Sequence, residues 1–241
     1  VIATPLGVKC AGGFAEYIKV PEDWVMSIPD ELSAKDVAII GTAGFTAALA
    51  LLTLEKYETL KSNGPILITG ASGGVGLLAA FLLLARGYEV ELVSSDPTLA
   101  ELFVEYEGAS FISYDEFLNQ KSFPLLKSKY AGAIDNVGGG ALSIAARSLN
   151  PNAKICAIGM AASEKIDMSI MPMIQRGIHI IGINAEATDD DTRRDVWNLI
   201  SETRSQLPLE RVFKECSLQE ACVYLKGEKY MPGHGRILVN V

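Results

Sequence analysis

The residues with the clearest chemistry are Thr69-Gly70-Ala71-Ser72-Gly73-Gly74-Val75-Gly76, which follow the apolar run Ile66 to Thr69 and open a long apolar stretch. Glycines at a strand-to-helix junction permit a tight turn and let backbone N–H groups approach an anion, while the helix N-terminus adds partial positive charge. The run points to a dinucleotide diphosphate cradle, with Ser72, Gly73, Gly74 and Val75 as its contacts. A loop that merely turns the chain is the plainer alternative, and the flanking strand and helix argue against it. In such sites the end of the second strand reads the adenosine ribose, where a carboxylate accepts the hydroxyls and repels a 2′-phosphate. Ser94-Ser95-Asp96 falls there. Two hydroxyls suit a phosphate and the carboxylate opposes it, so both nicotinamide coenzymes stay open. Asp96 could equally cap the helix expected beyond Pro97.

Other residue types with reactive potential carry less. Cys10, Cys156, Cys216 and Cys222 are widely separated, with no C-x-x-C pair, so structural zinc and a redox dithiol are not expected. His179 sits in an apolar run and His234 in a glycine turn, and neither announces a proton donor. Tyr57 and Lys61 have the Tyr-x-x-x-Lys spacing of a short-chain dehydrogenase but precede the glycine loop, the wrong order for that pair. The acidic run Asp189 to Asp191 reads as the start of a helix rather than a metal site.

These residues need elements to hold them. Strand and helix signals alternate from residue 66: strands at 66–69, 90–94, 111–113, 133–135, 154–158 and 178–184, with helices at 75–86, 99–107, 141–149 and 169–176 between them. Strands apolar along their whole length and separated by helices indicate an α/β, doubly wound parallel sheet covered on both faces. That domain is expected over 42–184. Ahead of it, residues 1–34 read as short strands and turns, including an alternating Phe14 to Val20. A helix capped by Ser33 with Asp36, and a second through Thr46 to Tyr57, follow. Behind it come a helix over 193–204, a strand near 212–215, a helix capped by Ser217 and a last strand over 236–241.

Composition narrows the class further. The chain is 49% hydrophobic and 21% charged, the balance of a folded globular protein. Its 29 acidic against 21 basic side chains, a formal charge of −8, give no positive field for nucleic acid. The uncharged run Val37 to Leu54 contains Gly41, Gly44 and three threonines and reads as buried protein rather than a membrane span. No secretion signal opens the chain, so reduced thiols and a cytoplasmic location are expected. The first residue is Val1 rather than Met, which suggests a processed or truncated chain.

Four segments together carry a family resemblance: Ile40-Gly41-Thr42-Ala43-Gly44-Phe45-Thr46-Ala47, the glycine loop, Ala133-Ile134-Asp135-Asn136-Val137-Gly138-Gly139 and Met171-Pro172-Met173-Ile174-Gln175-Arg176-Gly177. In order and spacing they resemble the medium-chain dehydrogenase/reductase superfamily, in its zinc-free quinone oxidoreductase branch and acryloyl-CoA reductase subgroup. The resemblance spans essentially the whole chain. It implies a Rossmann domain over 42–184, with 1–41 and 185–241 as the remaining strands of a GroES-like β-rich catalytic domain whose N-terminal portion is absent. It also implies an NADP(H)-dependent, zinc-independent reductase acting on an enoyl thioester, an enone or a quinone, and a homodimer paired through the edge strand 178–184.

Residue by residue, the resemblance places Thr46 near the nicotinamide, Ser72 to Val75 on the diphosphate, and Ser94 with Ser95 at the ribose phosphate. Met160, Ile174 and Ala185 would line the nicotinamide path. Ordinary explanations compete: core or crevice packing for Met160 and Ile174, and for Thr46 a hydroxyl bonded back to its own helix. The subgroup's Arg two positions beyond the ribose serine is Asp96 here, which leaves NAD(H) in contention. The family's cofactor-facing tyrosine belongs to the missing portion, so no catalytic residue is assigned. A non-catalytic relative that kept the nucleotide site is the alternative function.

Overall fold

The computed structural model describes residues 1–3, 6–7, 12–120, 122–227 and 234–241; Cys10 falls outside them. In chain order the elements are β1 (Ile2–Ala3), β2 (Val25–Met26), α1 (Ala34–Lys56), β3 (Ile66–Thr69), α2 (Gly74–Ala85), β4 (Val90–Ser94), α3 (Thr98–Leu102), β5 (Ala109–Ser113) and α4 (Tyr114–Leu118). There follow β6 (Tyr130–Asp135), α5 (Gly139–Ser148), β7 (Leu149–Ala157), α6 (Met171–Arg176), β8 (His179–Gly182), α7 (Asp190–Thr203), β9 (Phe213–Ser217), α8 (Leu218–Leu225) and β10 (Arg236–Asn240).

Strands β3 to β8 form one parallel sheet in the order β5-β4-β3-β6-β7-β8. Side chains of one strand alternate between the two faces, and here both faces are covered. Ile66 and Ile68 of β3, with Val90 and Leu92 of β4, enter the core built with α1, α2 and α7. Leu67 and Val93 enter the opposite core, which holds apolar residues of α4 and α5. Double coverage explains why these strands read as continuous apolar runs. The strand order reverses direction at β3 and β6, so their carboxyl ends frame the crevice where open α/β sheets bind ligands.

Helix α1 contains the break expected between two helices. Gly41 has φ 49° and ψ −156°, a left-handed φ that a side chain would strain. Ser33 and Asp36 form the expected capping box. Arg236 of β10 reaches into the break: its Nε donates to the carbonyl of Ile39 at 3.2 Å, satisfying an acceptor that the interrupted helix orphans. Burial pushes the Arg236 pKa down. Although α1 has the length and hydropathy of a membrane span, its apolar side chains pack on α2, α7 and the sheet.

Helix α7 clamps α1 from outside. Phe45 and Trp197 meet with ring centroids 6.1 Å apart, the Arg193 guanidinium lies 5.5 Å from the Phe45 ring, and Arg204 pairs with Asp36 at 2.8 Å. Asp189 caps α7 by accepting from the Thr192 amide at 2.8 Å, so the acidic run serves the helix terminus. Strands β9 and β10 pair in parallel across α8. The alternating segment Phe14 to Val20 forms no strand; Phe14 is 56% and Tyr17 90% exposed. Alternation creates a strand only where a ladder partner lies alongside, and none does among the described residues.

Candidate functional site

The glycine loop leaves β3 at the centre of the sheet. The Ala71 amide donates to Val93 at 3.0 Å, tying the loop to β4, and the Gly73 amide donates to Gly70 at 3.1 Å, closing the turn. The first bond of α2 runs from the Leu77 amide to the Gly73 carbonyl at 2.9 Å. The amides of Gly74, Val75 and Gly76 precede it, and Gly73 provides no side-chain cap. A helix end with orphan donors, no cap and no acidic side chain in its first turn suits an anion. The last glycine has a packing reason as well: a Cβ on Gly76 would sit 2.5 Å from the Gly70 carbonyl oxygen.

Polar groups bridge the strand ends on either side of the crevice. Thr69 donates its hydroxyl to Asp135 Oδ1 at 2.5 Å, joining β3 to β6, and Asp135 Oδ2 accepts from the Gly138 amide at 2.9 Å. Asp135 is fully buried; burial pushes its pKa up, opposed by the Thr69 hydroxyl and the Gly138 and Val137 amides. Asn136 donates from Nδ2 to the Thr69 carbonyl at 2.8 Å. Its buried Oδ1 finds no donor among the described residues, an open acceptor at the switch point.

At the ribose end, buried Ser94 donates to the Ser72 hydroxyl at 2.8 Å, so the end of β4 and the glycine loop meet through two serines. Ser95 is exposed. Asp96 receives the Thr98 amide at 3.0 Å and the Thr98 hydroxyl at 2.6 Å on Oδ1, the capping role anticipated for it. Its Oδ2 faces His234 Nδ1 at 3.8 Å. The Thr98 hydrogen bonds, more than the nearby imidazole, hold the Asp96 pKa below its ordinary value.

The remaining expected contacts separate into two groups. Thr46 is buried and donates to the Thr42 carbonyl at 2.7 Å, the ordinary helical bond. Thr42 instead lines a cavity of about 270 Å³ together with Phe45, Ala185 and Trp197. Met160 is 68% exposed and Ile174 71% exposed, so neither is a core residue. The chain after β7 runs against the Asn136–Gly138 turn: a Cβ on Gly138 would lie 3.3 Å from the Met160 Cα. Met160 therefore stands at the rim of the crevice, whereas Ile174 lies on the short helix α6.

Two residues beyond those expected belong to this neighbourhood, His234 and Arg236. The Gly235 amide donates to the Ser72 carbonyl at 2.9 Å, and a Cβ on Gly74 would meet Arg236 Cδ at 2.7 Å. The only sequence signal was the run His234-Gly235-Arg236 itself, and nothing in it says that the tail returns to the glycine loop. Among the described residues no three His, Cys, Asp or Glu side chains gather where they could hold a metal.

Residues 74–202 match the family model described as zinc-binding dehydrogenase. Over 234 residues the chain is 30% identical to the acrylyl-CoA reductase AcuI of Ruegeria pomeroyi, covering 95% of this chain and 70% of that protein. The crystal structure of Bacillus subtilis YhfP with NAD bound superposes with a TM-score of 0.90 at 32% identity, covering 99% of this chain and 73% of that one. Escherichia coli YhdH with bound NADPH gives 0.86 at 34% identity, covering 97% and 72%. These relatives thus hold different coenzymes, the same division that Ser94, Ser95 and Asp96 pose.

Proposed function

The chain belongs to the zinc-binding dehydrogenase family, within the medium-chain dehydrogenase/reductases and near their quinone oxidoreductase-like acrylyl-CoA reductases, and on that premise we propose that it is a zinc-independent, nicotinamide-dependent reductase of activated carbon–carbon double bonds. The observation that carries the reading is the uncapped first turn of α2 at the β3/β6 switch point, with Ser72 and Ser94 joined beside it. Substrates of the right chemistry are enoyl thioesters such as acryloyl-CoA, enones and quinones. The coenzyme is NADP(H), with NAD(H) the contender because of Asp96.

The chain's own residues have defined tasks. The amides of Gly74 and Val75, with Ser72 and Gly73 lining the approach, hold the diphosphate, and the α2 terminus adds a fixed positive potential that needs no rearrangement on binding. Ser94 and Ser95 take the adenosine ribose end. The Thr69–Asp135 bond keeps the two strand ends at a fixed spacing, so the crevice is formed before ligand arrives. Met160, Ile174 and Ala185 offer apolar surface to the nicotinamide half and exclude water there. Thr46 sits behind Thr42 as a support. When bound, the coenzyme supplies the hydride that the acceptor receives. Self-association through the exposed edge of β8 makes the assembly a homodimer.

Calorimetric titration with NADPH and NADH, followed by loss of reduced-nicotinamide absorbance with acryloyl-CoA or a quinone, tests the reading. Binding with turnover is expected. Binding without turnover of any enone, thioester or quinone would favour a non-catalytic nucleotide-binding relative. Binding of neither coenzyme would remove both.

A further inference from the structure

We propose that His234, carried to the ribose end by the carboxyl-terminal segment, sets the charge presented there by Asp96 and so decides between NADH and NADPH. The inference rests on the dinucleotide reading above and adds to it a residue from outside the parallel sheet.

Three contacts place His234. The Gly235 amide donates to the Ser72 carbonyl at 2.9 Å, and Gly235 pairs with Gly73 as an isolated parallel bridge. The next residue, Arg236, is anchored at the α1 break. Held on that side, the imidazole has Nδ1 3.8 Å from Asp96 Oδ2, too far for a hydrogen bond, and this buried nitrogen has no hydrogen-bond partner among the described residues. Asp96 is fixed from its other side by Thr98, so its charge cannot swing away from Ser94, whose hydroxyl accepts the Asp96 amide at 3.0 Å. A carboxylate and an imidazole thus face each other beside the ribose reader.

The consequence is electrostatic. Beside a neutral imidazole, Asp96 presents a full negative charge, accepts a ribose hydroxyl and repels a 2′-phosphate, so NADH is favoured. An imidazolium cancels that charge and lets the phosphate approach. His234 is a positioning residue in this scheme, acting through Asp96. Among the described residues, the other charged or titratable groups lining the cavity of about 540 Å³ beside it are Arg236 in its own segment and Tyr224. Neither carries the negative charge that would compete with Asp96.

The experiment measures dissociation constants of NADH and NADPH by fluorescence titration, from about pH 6 to 8.5, where imidazoles as a class change charge. Wild type, His234→Ala, His234→Gln and Asp96→Asn are compared. In wild type the NADPH-to-NADH affinity ratio should rise roughly three- to tenfold toward the acid end. Both His234 variants should lose most of that slope, retaining only what the coenzyme's own 2′-phosphate contributes near pH 6. Asp96→Asn should raise NADPH affinity at every pH and flatten the slope as well. Equal slopes in wild type and both His234 variants would overturn this inference while leaving the coenzyme site intact. A wild type that binds neither nucleotide would overturn the coenzyme site and this inference together. A merely structural His234 would weaken both coenzymes alike and leave their ratio unchanged, which also refutes it.

Discussion

Gly76→Ala tests the contact on which the crevice geometry depends. The added Cβ would lie 2.5 Å from the Gly70 oxygen and 2.7 Å from the Ala71 Cα, where ordinary contact begins near 3.4 Å. Both obstacles are backbone, pinned through the Ala71 and Gly73 amides, so relief requires α2 to slide outward by roughly 1 Å. Overpacking of this kind costs about 1–3 kcal/mol. Alanine's stiffer unfolded chain returns about 0.4–1 kcal/mol, leaving a net loss of about 1–2 kcal/mol. For a chain of this length that corresponds to a fall in Tm of about 2–8 °C. The orphan amides move with the helix, so coenzyme affinity should drop about tenfold, equivalent to 1.4 kcal/mol. Urea denaturation and coenzyme titration measure the two effects. Gly13→Ala is the control, since nothing among the described residues lies within 4 Å of its Cβ position, and its urea midpoint should hold or rise slightly rather than fall. A Gly76→Ala protein with the wild-type urea midpoint and wild-type coenzyme affinity would refute the reasoning.

Asp135 gives a pH prediction with a definite sign. Because burial raises its folded pKa above the ordinary 3.8, the native chain holds that proton more tightly than the unfolded chain. Its contribution is present below the ordinary value and lost as pH rises through the folded pKa. The urea stability of wild type minus that of Asp135→Asn should therefore decline as pH rises from about 3 to 7; a difference that climbs would contradict the assignment. Ile181 in the edge strand β8 is half-buried and joins neither core. Light scattering should find a dimer that Ile181→Lys converts to monomer, and a wild-type monomer at micromolar concentration would dismiss that contact.

Much of the sheet was legible because its strands are buried on both faces. Ile66–Thr69 and Val90–Ser94 have the expected limits, and the glycine run between β3 and α2 marks its own junction. Local chemistry also announced the caps at Ser33 and Ser217. Shorter elements were misjudged where tertiary contacts outweigh pattern. Helix α3 ends at Leu102 rather than 107, and Phe103 and Tyr106 instead close an aromatic cluster on Phe81. Phe14 to Val20 has a strand's alternation without a neighbour to pair with among the described residues.

The sequence by itself determined the parallel α/β sheet and the anion-ready turn, since both follow from apolar runs, glycine spacing and helix polarity within a few residues. Only the tertiary structure decided what stands around that turn. The Thr69–Asp135 bond spans 66 residues, and the return of His234 to Asp96 and of Arg236 to Ile39 spans far more. Contacts of that separation are fixed by how the last strand docks on the helix break at Gly41, and no local periodicity encodes that docking.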